Sequence, residues 1–477
     1  MTSLSRATLV SLPDRVARPG HDPALPRTGI VHFGPGAFHR AHQAAFIDRL
    51  LDHDPRWGIA AVSLRSAGTV EALKAQDGLY TLAILDRAPS LRAIAAHTEA
   101  IGPGEGERLR RLLAEPEVRI VTLTVTEKGY CLGGDGTLDP AHPDIVHDAT
   151  GSAEPTSVIG WIVAGLSDRR AAGVAPFAVL CCDNMTANGA KLRAACVALA
   201  RYHDADLAAW IAGTVAFPDS MVDSITPASD PAFLAHVAHD LGVKDRAAVQ
   251  REGFAQWVIE RFDLPDGPDL AAAGITLTDD VRGYEQAKLR ILNGAHSSLA
   301  YIGLARGHET VFEAMSDPAL EGFVTRLVHS DIALSLKPVQ GLDIQAYADA
   351  VLERFRNPAI RHLLSQIAWD GSQKLPYRLL DTISDELTAG RSIDRLAVPV
   401  AAWIAFVRRK AQTGETIVDP LAELLTKAAI GEDVLSEMLS LRQIFPQSLA
   451  DDPRFRHAVA DALLPFLDGH VERLLNR

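Results

Sequence analysis

From Gly29 onward the chain alternates short apolar runs with stretches of helical spacing. Gly29-Ile30-Val31-His32-Phe33 is an apolar run ending in Gly34-Pro35-Gly36, the pattern of a strand followed by a turn. Beyond the turn Ala41, Ala44, Ala45, Ile47, Leu50 and Leu51 recur at helical intervals, predicting one helix over 38–51. Further strands are expected at 59–64, 79–85, 118–125 and 176–182, with helices at 68–74 and 158–166. Strands alternating with helices imply a mostly parallel sheet covered on both faces. Beyond Arg282 strand signals nearly vanish, and 284–304, 318–334, 344–355, 362–367, 400–410 and 433–441 all carry helical patterns. The expected organisation is an α/β domain over 1–282 and a mainly α-helical domain over 283–477, without internal repeats.

Composition narrows the function classes. A 477-residue chain with 47% hydrophobic and 22% charged residues buries a core without disulfides or metals. The net charge of -13 and the lack of a basic patch argue against a nucleic-acid partner. Cys131, Cys181, Cys182 and Cys196 form no Cys-x-x-Cys pair, so no metal site is expected. Cys181 and Cys182 follow Val179-Leu180 and read as buried thiols. The first residues lack a signal-peptide core, and no uncharged apolar stretch reaches ~18 residues, so a cytoplasmic protein without a membrane span is expected.

Gly34-x-Gly36 follows a strand and opens a helix, the context of a dinucleotide site. Gly34 permits the tight turn, and Gly36 lets the backbone approach a pyrophosphate at the helix N-terminus. His39 stands where a third glycine is usual. An acid after the second strand ordinarily binds the adenosine ribose; here Arg65 and Ser66 occupy that place and are suited to a 2′-phosphate.

The richest segment is Glu285-Gln286-Ala287-Lys288-Leu289-Arg290-Ile291-Leu292-Asn293-Gly294-Ala295-His296. With Lys288 at zero and ~100° per residue, Glu285 falls at ~60°, His296 at ~80° and Asn293 at ~140°. A carboxylate, a lysine, an amide and an imidazole thus share one side of a helix that runs into apolar Leu299-Ala300-Tyr301-Ile302. Buried lysine and histidine need partners, and burial lowers a lysine pKa towards that of a general base. This set suits deprotonation of an alcohol during hydride transfer.

Gly34-Pro35-Gly36-Ala37-Phe38-His39-Arg40-Ala41-His42-Gln43 resembles the coenzyme loop of the polyol-specific long-chain dehydrogenases, a family of mannitol 2-dehydrogenases, arabinitol dehydrogenases and fructuronate reductases. Lys288 to His296 matches its K-x-x-x-x-N-x-x-H signature. Thr124-Val125-Thr126-Glu127-Lys128-Gly129-Tyr130, Cys182-Asp183-Asn184 and Met221-Val222-Asp223 are similar to family segments. The resemblance runs from about Gly29 to the C-terminus. It implies a Rossmann-type doubly wound N-terminal domain, a helical C-terminal domain, a site between them and no metal. In this reading Lys288 is the acid/base, Asn184 and Asn293 hold the reacting oxygen, His296 binds substrate and Glu285 lies on the proton route. Gly34, Gly36, Ala37, Phe38, Arg40, Arg65, Ser66, Thr126 and Glu127 would serve the coenzyme, and Asp223 the substrate. The resemblance implies NAD, with NADP left open by Arg65-Ser66.

The expected substrate is a small sugar or polyol. Trp369-Asp370-Gly371-Ser372-Gln373-Lys374-Leu375-Pro376 is similar to the fructuronate reductases, and Lys374 or Arg378 would meet a carboxylate. The second strand does not share that likeness. The sequence reading therefore puts a polyol/ketose pair of the mannitol–fructose type first and fructuronate reduction second. A non-catalytic nucleotide-binding regulator would have no use for the Lys288 face.

Overall fold

The computed structural model describes residues 1–151 and 154–476. The chain divides into two compact units, Met1–Arg282 and Gly283–Arg477.

The N-terminal unit is built on five parallel strands: β1 (Thr28–Phe33), β2 (Gly58–Val62), β3 (His97–Ile101), β4 (Ile120–Leu123) and β5 (Ala178–Cys181). Their spatial order is β3-β2-β1-β4-β5, with every neighbouring pair parallel, so the order reverses between β1 and β4. This is the doubly wound Rossmann arrangement, in which ligands bind beyond the carboxyl ends of the strands. Val31, Phe33, Ala60, Val62, Val121, Leu123, Val179 and Cys181 face one apolar core. Ile30, Ile59, Ala61, Ile120, Ala178 and Leu180 face the other. Both faces are covered, which explains why these strands read as continuous apolar runs. All four cysteines are buried and unpaired.

Three local features depart from the sequence expectation. The single helix over 38–51 is two helices, α1 (Ala37–Ala41) and α2 (Gln43–Leu50), because His42 leaves helical geometry at φ -117°, ψ -85°. Its Nε2 donates to the Gln256 carbonyl at 2.9 Å and its ring stacks on Phe38. The strand expected over 79–85 forms as Tyr80–Leu85, but in a separate four-stranded sheet with Val16–Ala17, Ser90–Ile94 and Val249–Glu252. β3, an edge strand of the main sheet, had no clear signal because Thr98 and Glu99 interrupt its apolar pattern.

Among the described residues the C-terminal unit contains helices and no named strand. The lysine-bearing helix runs unbroken through Val281–Ala287, Lys288–Asn293 and Gly294–Ala305, and its middle segment is π-helical. Two more π-helical segments, Val328–Ile332 and Pro376–Leu380, pack against it. No helix among the described residues is long and apolar enough to cross a membrane.

His39 fills the space of the missing third glycine with a buried histidine group. Its ring stacks on His32 at 3.4 Å, and its Nε2 meets His97 Nε2 at 3.1 Å. Burial lowers His32 and His97 to about 3, and holds His39 well below its ordinary range. In the unfolded chain these rings take up protons below about pH 6.5, while the fold keeps them neutral. The unfolded state therefore binds more protons, and stability falls with pH through the window from about 6.5 to about 3. At pH 5 this amounts to about 2 kcal/mol for His32 and a similar amount for His97. Thermal melts between pH 7.5 and 5 should show the midpoint falling, and His97→Gln should flatten the dependence. An unchanged pH profile in that variant would count against this origin.

Candidate active site

In the N-terminal unit the candidate coenzyme residues stand at the carboxyl ends of β1, β4 and β5. Gly34 adopts φ +88°, and a Cβ there would lie 2.1 Å from the Thr124 carbonyl oxygen, so only glycine fits. Thr124 Oγ1 donates to the Gly34 carbonyl at 2.7 Å and pairs with His32 Nε2 at 2.9 Å, tying the glycine turn to the loop after β4. Gly36 is exposed, and only the Gly34 carbonyl comes within 4 Å of the place its Cβ would take. That open backbone at the start of α1 fits the pyrophosphate of a dinucleotide. Ala37 and Phe38 are partly buried on α1. Arg40 turns inward: its Nη1 donates to the Pro35 carbonyl at 3.0 Å, so it braces the turn from beneath.

The loop after β4 is held by Asp183, which sequence reasoning passed over in favour of its neighbour. Asp183 Oδ2 accepts from Val125 N at 2.9 Å, Thr126 N at 3.2 Å and the Tyr130 hydroxyl at 2.7 Å. These bonds hold Thr126 at φ +65° and leave Thr126 and Glu127 exposed at the loop surface. Asn184, also exposed, follows directly. Asn188, likewise missed, donates to the carbonyls of Cys181 at 3.3 Å and Ser220 at 2.8 Å and accepts from Ser220 N at 3.0 Å. It fixes the end of β5 to Ser220–Asp223, the strand that carries the buried Asp223. The only signal for either residue was its place just after an apolar strand.

Beyond β2, Arg65 forms an ion pair with Asp144 at 2.5 Å, and Ser66 Oγ meets Ser63 Oγ at 3.2 Å. Cys131, His142 and Asp144 bring donor atoms within 4.8 Å of one another, a group the sequence spacing did not announce. Burial raises the Cys131 thiol to about 11, and Asp144 is engaged by Arg65.

In the C-terminal unit the candidate catalytic residues are organised by the π-helical turn. The Gly294 N–H reaches back five residues to the Leu289 carbonyl. An i→i+5 turn sets Asn293 about one turn above Lys288, closer to it than the ~140° of a regular helix. Glu285, Lys288 and Asn293 are partly buried, and His296 is buried. Arg290, on another side, anchors the helix through Asp385 at 2.7 Å and Ser335 Oγ at 3.1 Å. Gly294 lets a second segment come close: its Cβ would lie 2.9 Å from the Arg378 carbonyl oxygen. Arg378 thereby reaches Ser297 Oγ at 3.2 Å.

Around His296 lie Phe355, whose ring is 4.3 Å away, and His362 at 5.0 Å. Burial, then the charges of His362, Arg354 and Arg378, hold the His296 imidazole well below its ordinary range, so it is neutral. His296 Nε2, Arg378 Nε and His362 Nδ1 are enclosed without hydrogen-bond partners. Lys374 Nζ donates to the Ile367 carbonyl at 3.4 Å, and burial followed by the nearby Arg378 charge lowers its pKa. Orphaned polar atoms beside two cations are the hallmark of a polar ligand site.

Comparison with known proteins decides the family. Residues 28–270 match the mannitol dehydrogenase Rossmann domain, and residues 280–466 match the mannitol dehydrogenase C-terminal domain. The chain belongs to the mannitol dehydrogenase family. It is an oxidoreductase, and the D-mannonate oxidoreductase of Escherichia coli is 41% identical to it over 94% of this chain and 95% of that protein. The mannitol 2-dehydrogenase of Cereibacter sphaeroides is 36% identical over 92% and 93%. Among solved structures, the Pseudomonas fluorescens mannitol 2-dehydrogenase in ternary complex with NAD and D-mannitol is 35% identical, with a TM-score of 0.82 over 100% of this chain and 99% of that one.

The glycine turn gives a direct test. Gly34→Ala should lower the melting temperature, because its Cβ meets the Thr124 carbonyl, and in the protein that stays folded at the assay temperature it should weaken dinucleotide binding by about tenfold or more, measured by NADH fluorescence titration. Unchanged binding would mean that this turn does not seat the dinucleotide.

Proposed function

We propose that this family member is an NAD-dependent oxidoreductase of a sugar acid, interconverting D-mannonate or a close hexonate with the corresponding keto acid (fructuronate type), with Lys288 rather than a metal as acid/base. The observation that carries the substrate class is Arg378. Its Nε is enclosed and unpaired, its hydrogen-bond partners, Ser297 and Tyr377, are neutral, and burial lowers its pKa. Lys374 adds a second partly buried cation nearby. A buried cation without a counter-ion is costly. A substrate carboxylate supplies that counter-ion through charge-assisted hydrogen bonds, and a neutral polyol supplies only ordinary ones. The likeness to an enzyme named for D-mannonate supports the same reading.

NAD, when bound, supplies the hydride acceptor for oxidation and the hydride donor for reduction. In oxidation the substrate hydroxyl proton passes to Lys288 Nζ, acting as an uncharged amine; in reduction the ammonium returns it to the new alkoxide. Asn293, one turn away, hydrogen-bonds the reacting oxygen, a role the family resemblance also assigns to Asn184. The neutral His296 ring binds an adjacent hydroxyl, and Glu285 relays the proton to solvent. Asp223 accepts from a substrate hydroxyl.

The polyol reading ranked first from sequence stays as the second reading. It is supported by the likeness to mannitol 2-dehydrogenases, including one solved with NAD and D-mannitol.

Two measurements separate these statements. Lys288→Ala should lose ~10²–10⁴-fold in turnover while keeping its circular dichroism, because general acid–base catalysis is of that size. Activity within about threefold of the parent enzyme would remove Lys288 from this role. Arg378→Met should cost ~10–150-fold in kcat/KM for fructuronate and D-mannonate, the equivalent of about 1.5–3 kcal/mol for a charged hydrogen bond, and less for fructose or mannitol. A parent enzyme that prefers mannitol by tenfold or more, and an Arg378→Met variant with equal losses on both substrates, would favour the polyol reading.

A further inference from the structure

The segment Ser63 to Ser66 after β2 lacks the acid that usually follows the second strand of a dinucleotide fold, yet the structure brings one there from another part of the chain. Asp144 lies 79 residues further on, in the first turn of the helix Pro143–Ala149, and its Oδ2 meets Arg65 Nη2 at 2.5 Å. The pair stands at the rim of a cavity of about 520 Å³ at the carboxyl ends of β2 and β3, lined by Val62, Leu64, Ile101, Gly102 and Trp161. With a pyrophosphate on the Gly34–Gly36 turn of β1, the adenosine half of a dinucleotide extends over β2 towards this cavity.

The position of Asp144 is fixed. Asp148, one turn along the same helix, accepts from Thr156 N at 2.8 Å, Ser157 N at 2.9 Å and the Ser157 hydroxyl at 2.5 Å. The helix is thereby clamped to the chain that leads into Val158–Ala171. Two other carboxylates line the cavity. Glu105 is engaged by Lys74 and by Gly102 N at 2.6 Å, and Glu154 packs against Gly106. Of the three, Asp144 is the one on Arg65.

We propose that Asp144 sets the preference for NAD over NADP by occupying Arg65 and placing its own negative charge where a 2′-phosphate would sit. Arg65 alone would attract that phosphate, as a bidentate donor does. Bound to Asp144, it is neutralised, and the carboxylate repels the dianion while offering an acceptor to the ribose hydroxyls. This inference rests on the NAD reading above and is independent of which substrate the enzyme oxidises.

The test uses binding alone, by fluorescence titration of the full chain with NADH and NADPH. The parent protein should bind NADH at least tenfold more tightly than NADPH. Asp144→Asn should bring the two within about threefold, mainly by tightening NADPH, because Arg65 is released. Adding Arg65→Ala to Asp144→Asn should abolish the gain for NADPH. Glu154→Gln, which removes a lining charge away from Arg65, should leave the ratio near that of the parent. The proposal is overturned if Asp144→Asn leaves the ratio unchanged with its melting temperature intact, or if Glu154→Gln shifts the ratio equally. It also falls if the parent prefers NADPH, a result that leaves the dehydrogenase reading standing. A parent that binds neither nucleotide would remove the NAD reading itself.

Discussion

The i→i+5 turn between Leu289 and Gly294 organises the polar groups of the C-terminal unit. In a regular helix Lys288 and Asn293 would stand ~140° apart, at opposite edges of the polar arc. One residue added to the turn draws them together. The same point on the helix is where Gly294 admits the Arg378 backbone, so the close approach of the second π-helical segment also depends on it. Arg290, held by Asp385 and Ser335 on another side, keeps the helix from rotating away from this arrangement. Geometry of this kind is held by packing, because π-helical hydrogen bonds alone do not favour it over the α form.

The N-terminal unit solves a different problem. A doubly wound sheet leaves loops at the carboxyl ends of its strands, and loops position chemistry only when something pins them. Here the pins are polar and buried. Thr124 and His32 hold Gly34; Asp183 holds Val125, Thr126 and Tyr130; Asn188 bridges Cys181 and Ser220. Burial raises the Asp183 carboxyl, and three donors on one oxygen offset part of the desolvation. The histidine cluster beneath β1 takes the volume that a glycine would leave open, which makes this part of the fold sensitive to acid.

Charge is distributed unevenly within each unit. The protein as a whole is acidic, at -13, yet Arg354 and Arg378 lie close enough to His296 to lower its pKa, and Lys374 lies near Arg378 with Asp370 and Asp419 also close to it. At the rim beyond β2, Asp144 pairs with the exposed Arg65.

By itself the sequence determined the two-part architecture, the four parallel strands with continuous apolar runs, the glycine turn and the Lys288–His296 signature. These are local patterns: period, turn residues and spacing along one helix. Tertiary structure alone decided the rest. The edge strand His97–Ile101 was hidden because a half-exposed strand lacks an apolar run, and the break at His42 because its cause, the Gln256 carbonyl, is 214 residues away. Asp183 and Asn188 look like ordinary polar loop residues until the strands they join are brought side by side. The π-helical turn carries no composition of its own, since it arises from packing against other helices. Arg65 reads in sequence as a site for a phosphate, and only the folded chain brings Asp144 to it, because charge pairing depends on distance in space.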